Sequence, residues 1–183
     1  TIMLGVPLLF SKIYKGIIRQ VESSKIKSMI FKYGGKKIIG KALKKKLGGK
    51  LRIMVSGAAP MDPSIIEGFV GLGIEFLEGY GLTETTAPVT IGRPSNLKIG
   101  KVGFPLPGCG VMIAEDGEIW LRGTNVLKGY WNNKDATKST FEGDWFKTGD
   151  IGDLDDDGFL AITGRKKELI ITAGGKNVAP ALL

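Results

Sequence analysis

"LRIMVSGAAPMDPSIIEGFVGLGIEFLEGYG", residues 51–81, decides how the chain reads. It opens on a short apolar run that ends in a Gly/Ala/Pro turn. Asp62 then offers a carboxylate at a helix N-cap, and Pro63 stands at the first helical position, where a missing N–H costs nothing. "GIEFLEGYG" reads as a second strand. Strand, helix and strand in so short a span form a βαβ-like unit, which favours a parallel sheet.

On the N-terminal side, residues 1–50 read as helical. "VPLLFSKIYKGIIRQVE" makes one helix, and the Lys-rich "KYGGKKIIGKALKKKLGGK" makes another. In the second, Ile38, Ile39, Ala42, Leu43 and Leu47 fall at helical spacing with lysines between them, the pattern of an amphipathic helix with a basic face. On the C-terminal side the texture changes after about residue 95 into short β-rich runs divided by Gly and Pro. "AEDGEIW" is a hairpin signal with Asp116-Gly117 at its turn, and Asp157-Gly158 marks another. The fold class expected is α/β. Residues 1–97 supply a partial parallel α/β layer, residues 98–163 a small β-barrel-like subdomain, and the chain is truncated before a further C-terminal domain. Closing on "GGKNVAPALL", it leaves unfinished what "ELIITAGGKNV" begins, so an internal fragment of a larger protein is expected.

Composition removes several chemistries. The 183 residues include no His and one Cys, Cys109. Ser-His-Asp and Cys-His catalysis, His- or Cys-ligated zinc and an intrachain disulfide are all excluded. What remains is carboxylates, hydroxyls, Lys/Arg and backbone amides. The net charge of +8 is uneven: residues 1–55 hold 14 of the 26 Lys and Arg against one acid, Glu22. Such a block suits nucleic acid, an anionic membrane or a solvated helix face. Aromatic residues that would stack on bases are sparse there, so no nucleic acid is expected. No apolar run reaches the about 18–20 residues that span a bilayer, and the start lacks the basic region and cleavage site of a signal peptide.

Two short strings mislead. "GKKIIGKA", residues 35–42, approaches a phosphate-binding P-loop but has Ala42 where Ser or Thr would hold Mg²⁺. "DLDDDG", residues 153–158, begins like a calcium loop, yet its twelfth position is Gly164 where a bidentate Glu belongs. "GYGLTET", residues 79–85, is richer. Its glycines allow close backbone approach, Thr83 offers a hydroxyl to a phosphate, and Glu84 offers a hard oxygen to Mg²⁺. Alone it reads more readily as a strand end, a Gly turn and a polar loop.

Four strings then stand in order: "SGAAP" (56–60), "GYGLTET" (79–85), "WFKTGDIG" (145–152) and "GRKKELIITAGGKNVAP" (164–180). Together they resemble the adenylate-forming superfamily of acyl-CoA synthetases, luciferases and peptide-synthetase adenylation domains. "MLGVPLLFSKIYKGI" and the last string are similar to the long-chain fatty acid–CoA ligase branch. The resemblance implies ATP (leaving as AMP), Mg²⁺, CoA and a fatty acid as cofactors and substrates. Gly57, Ala58 and Ala59 would lie between adenine and acyl group. Gly79, Tyr80, Gly81 and Leu82 would line the adenine slot. Thr83 would bond the α-phosphate and Glu84 would hold Mg²⁺. Asp150 and Arg165 would reach the ribose hydroxyls. Residues 164–183 would be a hinge, at Lys167, and the start of the C-terminal domain, with Gly174 and Gly175 along the CoA path. The family's phosphate loop and its C-terminal catalytic lysine would fall outside residues 1–183, so the isolated chain is expected to be inactive. A cytoplasmic location follows, with peripheral membrane association open. Two other readings stand beside this one: an adenylating ligase for another carboxylic acid, and a non-catalytic basic module that binds membrane or nucleic acid.

Overall fold

The computed structural model describes residues 1–86, 88–94, 96–168, 170–171 and 177–178. The chain forms two compact units, Thr1–Gly79 with Arg93–Gly100, and Tyr80–Gly92 with Lys101–Leu183.

The first unit runs β1 (Ile2–Gly5), α1 (Pro7–Glu22), α2 (Lys25–Lys32), α3 (Lys36–Lys46), β2 (Ile53–Ser56), α4 (Pro63–Gly71) and β3 (Glu75–Tyr80). The expected βαβ unit is present. β1, β2 and β3 are parallel neighbours, with Met3 opposite Met54 and Met54 opposite Phe76. Asp62 caps α4, its Oδ1 accepting from the Ser64 backbone N–H at 2.9 Å and the Ser64 hydroxyl at 2.8 Å. Phe10 of α1, Phe69 of α4 and Phe76 of β3 form the centre of the core. Phe10 meets the other two rings edge-on, and Phe69 stacks on Phe76 with centroids 5.4 Å apart. Small residues permit the close helix approaches: a Cβ on Gly40 of α3 would run into the Leu72 carbonyl at the end of α4.

The Lys-rich segment forms one helix, as expected, but only over α3, and a further helix not expected from the sequence, α2, precedes it. Gly34, at φ +93°, breaks the chain between α2 and α3. The buried face of α3 is also narrower. Ile39, Gly40 and Leu43 face the core, whereas Ile38 is 64% exposed and Ala42 is exposed. Residues 38 and 42 sit about 100° around the helix from 39 and 43, so one face cannot bury both pairs. α2 has no fully buried residue, though Phe31 packs partly against the core, and Ile26, Met29 and Tyr33 stand exposed among lysines.

The second unit begins at Tyr80 and contains a 3-10 turn at Thr83–Thr85, then β4 (Thr90–Ile91), β5 (Phe104–Pro105), β6 (Cys109–Ile113), β7 (Glu118–Gly123), α5 (Lys134–Thr140), β8 (Phe141–Glu142), β9 (Trp145–Leu154) and β10 (Leu160–Arg165). A second 3-10 turn, Lys166–Glu168, leads to the pair β11 (Ile170–Ile171) and β12 (Asn177–Val178). The main sheet is antiparallel, ordered β10-β9-β7-β6, with β8 also paired to β9. It curls as a half-barrel over Ile119, Leu121, Phe146 and Leu160. Both expected Asp-Gly turns are hairpin turns, with Gly117 at φ +83° and Gly158 at φ +81°. In the second, Asp155 Oδ1 accepts from the N–H groups of Asp157 and Phe159, so it serves the turn. Composition put the change of texture near residue 95, yet residues 80–92 pack in this unit, because Tyr80 and Val89 are buried in its core.

Candidate nucleotide site

The site is built around a buried carboxylate on β9. Thr148 fixes the strand there: its hydroxyl donates to the Ile119 carbonyl at 2.7 Å and accepts from Asp150 N–H at 3.0 Å. Gly149 between them takes φ +73°, a conformation that favours glycine. Asp150 is only 4% exposed. Its Oδ2 accepts from the Tyr80 hydroxyl at 2.7 Å, and its Oδ1 lies 2.6 Å from Arg165 Nε. The register of β9 and β10 sets Arg165 directly opposite Asp150, so strand pairing itself delivers the cation. Burial, reinforced by the bond to Asp150 and its charge, pushes the Tyr80 phenol far above its usual range, which keeps it a donor. Each Asp150 oxygen still has a lone pair for a further hydroxyl.

The string "GYGLTET" turns the chain away from β3. Leu82 N–H donates to Thr85 Oγ1 at 2.9 Å, and that hydroxyl donates to the Leu82 carbonyl at 3.0 Å, closing the 3-10 turn. Thr86 follows at φ +60°. The corner is stapled from forty residues downstream, where Asn125 Nδ2 donates to the Thr85 carbonyl and the Thr86 hydroxyl donates to the Asn125 carbonyl. Leu127 N–H donates to the Glu84 carbonyl at 2.7 Å. Thr83 is exposed and Glu84 half-buried. Glu84 Oε1 accepts from the Tyr130 hydroxyl at 3.1 Å. Partial burial and then the Glu84 carboxylate raise the Tyr130 phenol above its ordinary pKa.

A cavity of about 440 Å³ opens beside these groups, with Leu82, Glu84, Tyr130, Thr148, Arg165 and Lys167 in its wall. That volume suits a small-molecule ligand. Among the described residues no three His, Cys, Asp or Glu side chains gather to hold a metal by themselves. Two carboxylates, Glu84 and Glu118, line the cavity, and Glu118 is paired with Lys166 at 2.8 Å. This donor set fits Mg²⁺, which is commonly bound by one or two carboxylates together with substrate phosphates and water.

The second unit thus gathers Tyr80, Leu82, Thr83, Glu84, Asp150, Arg165 and Lys167, with Gly81 half-buried between strand and turn. Gly57, Ala58 and Ala59 belong to the first unit, after β2. There a Cβ on Gly57 would stand 3.4 Å from the Gly79 carbonyl, and Ala58 takes φ +71°. Gly174 and Gly175 lie outside the described residues. Sequence reasoning missed Asn125 and Tyr130, whose loop "GTNVLKGYW" carries only the signal of a Gly-flanked polar and aromatic stretch. It also passed over Glu118, buried at the start of β7, and gave Lys166 no partner.

The chain is 52% identical over 147 residues to the long-chain-fatty-acid–CoA ligase FadD15 of Mycobacterium bovis, covering 80% of this chain and 24% of that protein. It is 47% identical over 130 residues to the long-chain-fatty-acid–CoA ligase ACSBG1 of Rattus norvegicus, covering 68% of this chain and 18% of that protein. The chain therefore spans about a quarter or less of the length of these curated relatives. Among solved structures, O-succinylbenzoate coenzyme A synthetase (MenE) of Bacillus subtilis in complex with AMP matches all of this chain and 34% of its own, at 27% identity and a TM-score of 0.75. The ATP-bound RpMatB-BxBclM chimera B3 also matches all of this chain and 34% of its own, at 31% identity and a TM-score of 0.77. Residues 1–131 match the family of AMP-binding enzymes, and to that family the chain belongs.

Proposed function

We propose that the protein carrying this chain is an ATP-dependent long-chain acyl-CoA synthetase, and that residues 80–167 form its nucleotide pocket. The observation that carries the reading is the pair of partners on Asp150: a buried carboxylate, oriented by Tyr80 and Arg165, stands beside a cavity of nucleotide size. Identity of 52% to a long-chain-fatty-acid–CoA ligase supports a fatty acid as the substrate. A fatty carboxylate attacks the α-phosphorus of ATP, the bond to the β-phosphate breaks, and pyrophosphate leaves. The CoA thiolate then attacks the acyl carbon, and AMP departs with the bond electrons. Asp150 accepts from the ribose diol while Arg165 keeps its charge compensated. Thr83 donates to the α-phosphate as negative charge gathers there, the arrangement that lowers such barriers most. Mg²⁺, where bound, neutralises phosphate charge, and Glu84 is the residue to hold it. Lys167, exposed in the 3-10 turn after β10, is the hinge on which the C-terminal segment turns between the two steps.

Measuring pyrophosphate release and acyl-CoA formation by the protein, with ATP and carboxylic acids from acetate to oleate and benzoate, tests this. Selective turnover of the long-chain acids is expected. Preference for an aryl or short-chain acid, or no pyrophosphate release with any acid, overturns it.

A second reading concerns location. No described helix is long and apolar enough to cross a membrane. On α2 and just beyond it, Ile26, Met29 and Tyr33 are 56–77% exposed, and residues 23–61 hold no acid. Apolar side chains ringed by lysines suit peripheral attachment to an anionic bilayer, where a fatty substrate resides, from the cytoplasmic side. Sedimentation with anionic and neutral vesicles checks it; equal, salt-independent binding to both argues against it.

A further inference from the structure

Lys166 would pass for a solvated surface lysine, yet it reaches a carboxylate that is almost wholly buried. Its Nζ lies 2.8 Å from Glu118 Oε2, and Glu118 is 5% exposed. It also lies 2.6 Å from Asp116 Oδ2, on the β6–β7 hairpin turn. The other oxygen of Glu118 accepts from the Gly149 N–H at 2.8 Å. One buried carboxylate therefore grips two places in the chain. On one side it holds the amide just before Asp150, and on the other the cation just after Arg165. We propose that Lys166 is a positioning residue that fastens the segment following β10 to the floor of the nucleotide pocket through Glu118. The inference rests on the nucleotide reading given above.

The physical argument is the cost of an uncompensated buried charge. With Lys166 removed, Glu118 keeps a single amide donor and no near cation, a costly state for a buried carboxylate. The strand can relieve it by admitting water or by shifting the Gly149 peptide. Either change disturbs Asp150, the next residue, and loosens Arg165, whose neighbour no longer anchors the turn. Asp116 is half exposed, so its share of the pair is screened by solvent and small. The two consecutive cations, Arg165 and Lys166, are thus each held by a separate buried carboxylate, and the wall of the pocket is pinned at two points.

The test uses AMP binding to the protein, followed by calorimetry, with melting temperature as the control for folding. K166Q is expected to weaken AMP binding about tenfold, K166R to stay within about threefold of wild type, and D116N within about twofold. E118Q, which keeps an acceptor for Gly149 but drops the charge, is expected to weaken AMP to about the same degree as K166Q. Combining it with K166Q should then cost little more. The KM for the carboxylic acid substrate should not move in any of them. Wild-type AMP affinity in K166Q, or losses that simply add in the double variant, overturns the proposal. Should K166Q fail to fold, E118Q and K166R carry the same comparison, and equal AMP affinity in E118Q and wild type overturns it. Failure of the wild-type protein to bind AMP at all would instead remove the nucleotide reading, and this inference with it.

Discussion

The two units bury carboxyl groups in opposite ways. In the first, Glu78 of β3 is 6% exposed, and Met61 N–H, at a long 3.4 Å, is its donor. Across the β2–β3 register stands Ser56, whose buried hydroxyl has no hydrogen-bond partner among the described residues. Burial pushes the Glu78 carboxyl up to about 7, against an ordinary value of 4.5. In the second unit Asp150 and Glu118 are as deeply buried, yet each has a cation within 3 Å and a neutral donor besides. The first unit accommodates its acid by letting it take a proton near neutrality. The second supplies a counter-charge, and does so beside the cavity where charged phosphates are proposed to bind. Burial alone therefore says little about what a carboxyl is for; its partners decide.

Breaking the second arrangement should have the largest effect. Asp150→Asn keeps an oxygen for Tyr80 but drops the charge paired with the half-exposed Arg165, and with it the charged acceptor proposed for both ribose hydroxyls, where each hydrogen bond to a charged group is worth about 1.5–3 kcal/mol. AMP affinity of the protein should fall at least a hundredfold, and a variant that binds AMP as well as wild type would show the pair to be packing only. Glu84→Gln should come next. It drops the charge that Mg²⁺ prefers, with an expected loss of about 3–4 kcal/mol in transition-state stabilisation. Adenylate formation across a Mg²⁺ titration reads it, and an unchanged Mg²⁺ dependence would leave Glu84 merely the partner of Tyr130.

Glu78→Gln tests the other side. Since the folded state holds a proton that the unfolded chain releases, this group favours folding most below pH 4.5. Its contribution is lost as the pH climbs through about 7. The full swing amounts to about 3 kcal/mol. Urea unfolding at pH 5 and pH 8 should show wild type losing stability along that slope and Glu78→Gln following a flatter one. Equal slopes would mean that Glu78 is compensated after all. The smallest effect is expected from Thr83→Val, which removes one exposed hydroxyl and about 1–2 kcal/mol of phosphate bonding, read as a slower adenylation rate at an unchanged melting temperature.

What could be read beforehand was what is local. Asp62-Pro63 between two apolar runs announces the βαβ unit because a cap and a helix start are neighbours in sequence. Asp-Gly at 116–117 and 157–158 announces hairpins for the same reason. The corner string and Asp150 were legible through the motifs they sit in. Periodicity could not show that Gly34 parts α3 from a separate helix α2, since lysine and isoleucine continue on both sides of it. Nor could it pair Glu84 with Tyr130, Thr85 with Asn125, or Glu118 with Lys166, partners separated by 46, 40 and 48 residues. Those meetings are set by strand register and loop path, which no window of sequence contains.

The bond between Tyr80 and Asp150 also orders events in time. Their separation is seventy residues, so a ribosome delivers the phenol well before its acceptor. At about 5–20 residues per second the interval is roughly 4–14 s. Through that interval the aromatic end of β3 lacks both its carboxylate and the β9 segment that buries it. Contacts of such long range are the slow ones to form. The nucleotide corner therefore becomes complete only after β9 and β10 have emerged and paired. Any pause in translation between residues 80 and 165 lengthens the time for which that aromatic edge is open to the wrong neighbours.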